Sequence, residues 1–223
     1  MVSINPLPVK SMPDMNHTAQ TAPGIISPAT ITAYWFGPPA DDAVTAQNQR
    51  RSWWSKNPAV DNEIRRRFAP HVTAAASGKY ATWADTAQGR LALILLFDQF
   101  PRNLHRNSPR AFAYDSLALE LALAGIAAGI DRQLRPIERV FFYLPLEHAE
   151  STMHQEHCVR LYEQLLAALP SAWHDIFAGY LRFAERHSDI IRRFGRFPHR
   201  NRILGRVSTP EEAAFLQQPG SSF

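Results

Sequence analysis

The chain has 223 residues, 45% of them hydrophobic, which suffices for one domain with a sizeable core and is short for two. Its formal charge is +4 and its one cysteine is Cys158, so an internal disulfide framework and a cysteine-based zinc site are excluded and a reducing cytoplasm is the expected compartment. No stretch approaches the roughly eighteen uninterrupted apolar residues of a membrane span, and the first 26 residues lack the basic-then-apolar order of a signal peptide.

Residues 1–26 scatter Pro6, Pro8, Pro13 and Pro23 among polar residues with neither a helical nor an alternating period. They are expected to be a disordered leader to a single domain over 27–216, with a flexible tail over 217–223. Ser27-Pro28 puts a side-chain acceptor at a helix cap and a proline at the first helical position, and Gly37-Pro38 marks the stop. Trp35, Trp53, Trp54 and Trp83, with Tyr34 and Phe36, are expected to fill the joints between short helices. Asn57-Pro58 opens the next marked helix and Gly78 closes it. Residues 91–97, LALILLF, are apolar on every face and predict a helix at the centre of the fold, with Pro101 as its stop. Ser108-Pro109 is a further start, after which Leu117, Leu121, Ala124 and Ala128 keep helical spacing. Residues 140–144 have strand-like composition, yet Pro136 and Glu138 before them and a helical pattern after Pro145 predict a short helix. Gly195 ends the helix carrying Arg192 and Arg193, and Thr209-Pro210 with Glu212 forms a capping box for the last one. Asn-Gly and Asp-Gly hairpin turns are absent, so the fold class reads as all-α. No repeat of 30–45 residues is visible.

Charge is unevenly distributed. Residues 192–206, RRFGRFPHRNRILGR, hold six arginines and no acid, so without them the chain would be slightly acidic. The overall excess of arginine over lysine follows from nucleotide bias as readily as from function, and only the clustering carries information. Phe194, Phe197, Ile203 and Leu204 are expected to press this loop onto the core and hold Arg196, His199, Arg200, Asn201, Arg202 and Arg206 rigidly. Rigid guanidiniums suit a phosphate or carboxylate, whereas a solvated basic tail suits nonspecific nucleic acid. The segment 98–106, DQFPRNLHR, repeats the Phe-Pro, Arg and Asn theme, and the two segments are expected to lie close together. Asp98, in the last turn before Pro101, opposes the helix dipole and needs an arginine, either Arg102 or Arg106 nearby or one from 192–206.

A third constellation runs from 144 to 156. On one continuous helix, His148, Ser151 and Gln155 share a side with Cys158, Tyr162, Leu166 and Leu169, opening an apolar stripe with polar groups that need partners or a cavity. Glu147, Glu150, His154 and His157 lie on a neighbouring face. A metal site there is conceivable by residue type but lacks the H-E-x-x-H spacing, and neither metal nor cofactor is expected. His148 with Glu150 or Glu147 suits an acid/base pair, although a hydrogen-bonded core histidine is the commoner arrangement. Cys158, with no adjacent cation, reads as a small core residue.

The motifs Tyr34-Trp35-Phe36-Gly37, Trp53-Trp54-Ser55-Lys56, Phe97-Asp98-Gln99-Phe100-Pro101-Arg102-Asn103, Tyr143-Leu144-Pro145-Leu146-Glu147-His148-Ala149-Glu150 and Phe194-Gly195-Arg196-Phe197-Pro198-His199-Arg200-Asn201 occur in that order. Over residues 25–216 the chain resembles the family designated domain of unknown function 924. The resemblance implies an all-helical, tetratricopeptide-like superhelix in mostly bacterial cytoplasmic proteins. It carries no reaction. Its motif residues fall on Asp98, Arg102, Asn103, His148, Glu150, Arg196, His199, Arg200 and Asn201 without assigning them roles.

Three functions remain in view. The first is a concave site in which Asp98, Arg102, His148, Arg196, His199 and Arg200 converge on a small anionic ligand or an acidic peptide terminus, with Asn103, Ser151, Gln155 and Asn201 lining it. The second is a hydrolase or transferase with His148 as acid/base, oriented by Glu150. The third is a protein-binding scaffold whose motifs are structural clamps. Nucleic acid ranks last as a partner, and the sequence does not set the oligomeric state.

Overall fold

The computed structural model describes residues 26–221. The expected leader, apart from Ile26, and the last two residues of the expected tail lie outside the described residues. Among the described residues every regular element is helical.

Helix α1 (Pro28–Phe36) starts where Ser27 Oγ accepts the Thr30 N–H at 3.2 Å, and it stops at Gly37. Helix α2 (Asp42–Trp54) is capped by Asp41, whose carboxylate accepts the Val44 N–H at 2.8 Å. Helix α3 (Pro58–Ala76) is capped by Asn57. The indoles do most of the joining here: Trp35 and Trp53 are buried, and Trp53 Nε1 donates to the Trp35 carbonyl at 2.9 Å. Trp54 differs, stacking on Phe141 while half of it stays exposed.

Helix α4 (Ala87–Ile94) is the centre of the fold, packed by α1 and by α6 (Asp115–Ala127) and α7 (Pro136–Glu147). Every residue from 91 to 97 is buried, as an all-apolar helix requires. The expected stop at Pro101 is not there. The helix widens into a π-helical turn, Leu95–Gln99, and continues as α5 (Phe100–Leu104). The Phe100 N–H reaches back to the Leu95 carbonyl. The widened turn thereby accommodates a proline that has no N–H to give and whose ring would crowd the carbonyl four residues earlier.

The second correction concerns 147–169, which is not one helix. The expected short helix over 140–144 belongs to α7, twelve residues long with Pro145 near its end, and α8 (Thr152–Ala167) begins after a break at His148–Ser151. Gln155 explains the break: its Nε2 lies 2.6 and 2.8 Å from the carbonyl oxygens of Glu147 and Ala149, the first of which α7 itself leaves without a helical partner. Gln155, Cys158 and Tyr162 do share the buried side of α8, but His148 and Glu150 belong to the connection before it.

Helices α8 and α9 (His174–Phe194) form an antiparallel pair, and α7 touches both. Gly195, at φ +69, takes the left-handed position that ends α9 and turns the chain into the arginine-rich loop. Helix α10 (Pro210–Leu216) follows with the capping box of Thr209 and Glu212 formed. Beyond it, Arg186 donates to the Gly220 carbonyl at 2.9 Å and Ser221 is buried, so 217–221 lie along α9.

Candidate functional site

The π-helical turn carries Asp98 into the middle of the molecule, where its side chain is 0% exposed. A carboxylate there is costly without partners. It has three. His148 Nδ1 lies 2.7 Å from Oδ1, Arg102 Nη1 lies 3.2 Å from the same oxygen, and the Gln99 amide lies 2.5 Å from Oδ2. Burial opposes the charge, but Arg102 and then His148 outweigh it and hold the Asp98 carboxyl well below the usual carboxylate range.

Arg102 is shared. It grips Asp115, the first residue of α6, with two parallel bonds of 2.9 and 3.0 Å, and Nη1 also donates to the Asp98 carbonyl. Arg106, the other local arginine, turns instead to Asp61, as does Asn103. The arginine arriving from the basic loop is Arg200. Its guanidinium sits between the rings of Phe112 and Phe197, 4.7 and 4.5 Å from their centroids. Nη1 donates to the His148 carbonyl at 3.1 Å and stands 3.8 Å from Asp115. The two Phe-Pro segments therefore meet at Asp115. Burial, then the charge of Arg102, lowers the Arg200 pKa to about 10, still leaving it cationic at neutral pH.

His148 closes the group from the C-terminal end of α7. Its side chain is 15% exposed. Nδ1 faces Asp98, whereas Nε2 makes no hydrogen bond among the described residues and reaches solvent. Burial and the charge of Arg102 lower its pKa against the pull of Asp98, so the ring is neutral at pH 7, with the Nδ1 hydrogen on the carboxylate and a lone pair pointing outward. Behind it stand His187, its ring 6.4 Å away, and Glu147, 3.3 Å from His187 Nδ1. Burial, followed by the charge of Asp98, pushes the Glu147 carboxyl up to about 8, and burial brings His187 down to about 3. Both are uncharged at neutral pH. So is half-buried His199, lowered to about 4 by burial and then the charge of Arg200.

The other expected site residues go elsewhere. Glu150 does not orient His148; Asp98 does. Glu150 instead accepts the Phe197 N–H at 2.8 Å and binds Arg206 through two bonds of 2.7 and 2.9 Å. Arg196 pairs with Glu212 at 2.6 Å, and Asn201 donates to Ser208 and to Glu212. Gln155 caps α7, and Ser151 opens α8 without a side-chain cap bond. Among the described residues no group of three or more His, Cys, Asp or Glu side chains is arranged to hold a metal ion. Asp115, Phe112, Glu147 and His187 complete the cluster. Glu147 is already a candidate from the sequence, whereas the contacts of the other three cross from 10 to about 90 residues, so no spacing rule marks them.

The family model for the bacterial proteins of unknown function, DUF924, matches residues 31–220. The chain belongs to this family. A solved structure of a protein of unknown function from Agrobacterium tumefaciens is similar, with 40% sequence identity and a TM-score of 0.68 over 79% of this chain and 95% of that one. No curated protein matches.

Proposed function

We propose that the chain is an acid/base enzyme, a hydrolase or transferase acting on a small anionic substrate, in which His148 moves the proton and Arg200 meets the anion. The observation that carries this reading is the imidazole itself: one nitrogen is fixed on a fully buried carboxylate and the other is left to solvent. An imidazole so fixed can take up and release a proton at its second nitrogen without moving. As a base, Nε2 takes a proton from an attacking hydroxyl, and Asp98 stabilises the imidazolium formed; as an acid, the imidazolium returns a proton to a leaving group. Arg200 Nη2, which has no hydrogen bond among the described residues, offers its N–H groups to a phosphate or carboxylate.

A nucleic-acid partner is disfavoured, because Arg193, Arg196 and Arg206 each direct their guanidinium at a carboxylate of the protein. The single buried cysteine supports a reducing cytoplasm as the location. The successive packing of α7, α8 and α9 supports tetratricopeptide-like stacking in the C-terminal half, whereas around α4 the contacts skip along the chain.

A thermal-shift screen against phosphorylated metabolites, dicarboxylates and short acidic peptides tests the reading. A ligand at 100 times its Kd adds about 2.7 kcal/mol, a rise of about 5 to 10 °C for a domain of this size. Arg200→Ala should remove the shift. His148→Asn, which keeps a donor for Asp98, should cut turnover of the same ligand by about 10² to 10⁴ while a smaller shift remains. A His148→Asn protein with unchanged turnover would overturn the proposal.

A further inference from the structure

Charge balance around His148 restricts what the site takes. Arg102 is matched by Asp115 and Asp98, and Arg200 stands close enough to Asp115 to share its charge. Two guanidiniums thus face two carboxylates. At the rim, Glu150 and Arg206 cancel one another through their paired bonds. On the inner side, from α7 and α9, Glu147 and His187 are buried against each other and both are uncharged, and His199 of the loop is held neutral by burial. Among these named groups, positive and negative charges therefore balance.

An anion placed against the open N–H groups of Arg200 would leave one negative charge uncompensated in a largely dry setting, which is costly. One group is built to answer it. His148 already has its Nδ1 hydrogen on Asp98 and its Nε2 exposed, so a proton added at Nε2 makes an imidazolium held on a carboxylate and facing the anion.

We propose that the site binds a small monoanion, a carboxylate or a phosphodiester, together with one proton that settles on Nε2 of His148. This rests on the acid/base reading and sharpens it. His148 then enters the chemical step as the acid, and a dianion such as a phosphate monoester is disfavoured because one proton leaves it uncompensated.

The test follows the His148 ring Cε1–H by NMR, assigned with His148→Asn, in titrations with acetate, dimethyl phosphate and sulfate. Acetate or dimethyl phosphate should raise the apparent pKa of His148 by at least about one unit, and by reciprocity its affinity should fall about tenfold for each pH unit between the unbound and bound pKa values. Whichever of the two binds more tightly names the ester or the carboxylate class, and sulfate should bind more weakly than it. In His148→Asn the residual affinity, read by thermal shift, should be flat with pH. Binding that leaves the His148 pKa unmoved, or sulfate binding more tightly than both monoanions, would overturn the inference while leaving an anion site in place. If none of the three binds with millimolar affinity or better, the anion site under the acid/base reading falls, and this inference with it.

Discussion

Asp98 and Glu147 are two buried carboxyl groups with opposite fates, decided by what each touches. Asp98 has a guanidinium and an imidazole within 3.2 Å; Glu147 has a neutral imidazole at 3.3 Å and feels the charge of Asp98. Depressed in the fold, Asp98 contributes stability that is present above its unfolded pKa near 4 and lost as pH falls below that. Asp98→Asn leaves Arg102 and His148 without their shared anion and should cost about 3 to 5 kcal/mol at pH 7, read by urea unfolding, with the gap to wild type narrowing below pH 4. Glu147 runs the other way. Its raised pKa means that the folded state holds the proton more tightly than the unfolded chain, so its contribution is intact below about 4.5 and lost as pH rises toward 8. Glu147→Gln should therefore match wild type near pH 5 and be more stable near pH 8, by on the order of a few kcal/mol. Equal pH profiles for the two proteins would show that Glu147 is ionised throughout.

At the scale of the elements, the π-helical turn and the α7–α8 break place Asp98 and His148 opposite each other. The break depends on Gln155, whose amide satisfies the end of α7 from the first turns of α8. Gln155→Leu should strand buried carbonyls and cost about 1 to 3 kcal/mol, seen as a lower urea midpoint with an unchanged m-value. Glutamine at that position carries no local signal, which is why the sequence reads 147–169 as one helix. The turn at 95–99 was equally hidden, since Pro101 marks a stop by every local rule and only the widened backbone shows how a helix passes it. Starts were legible because their chemistry is local: Ser27, Asn57, Ser108 and Thr209 each accept a backbone N–H within three residues, next to a proline.

For the whole molecule, the basic segment proves to be a set of clamps around one buried arginine. Arg193, Arg196 and Arg206 fasten the loop to Glu211, Glu212 and Glu150, and Arg200 lies between the rings of Phe112 and Phe197 beside Asp98 and His148. The clustering was visible in the sequence. Its division into clamps and site was not, because the acids come from α10 and the α7–α8 connection. Arg206 and Glu150 are each partly exposed, so Arg206→Ala should cost no more than about 1 kcal/mol and leave anion binding intact, in contrast to Arg200→Ala, with a thermal-shift titration separating them. Acid/base chemistry at this site requires one particular state of the His148 imidazole. Long-range ¹H–¹⁵N correlation of the His148 ring at pH 7 should show a neutral ring with hydrogen on Nδ1 and a bare Nε2, and Asp98→Asn should abolish that preference. A hydrogen on Nε2 in the wild-type protein, or an imidazolium in the absence of any anion, would contradict it.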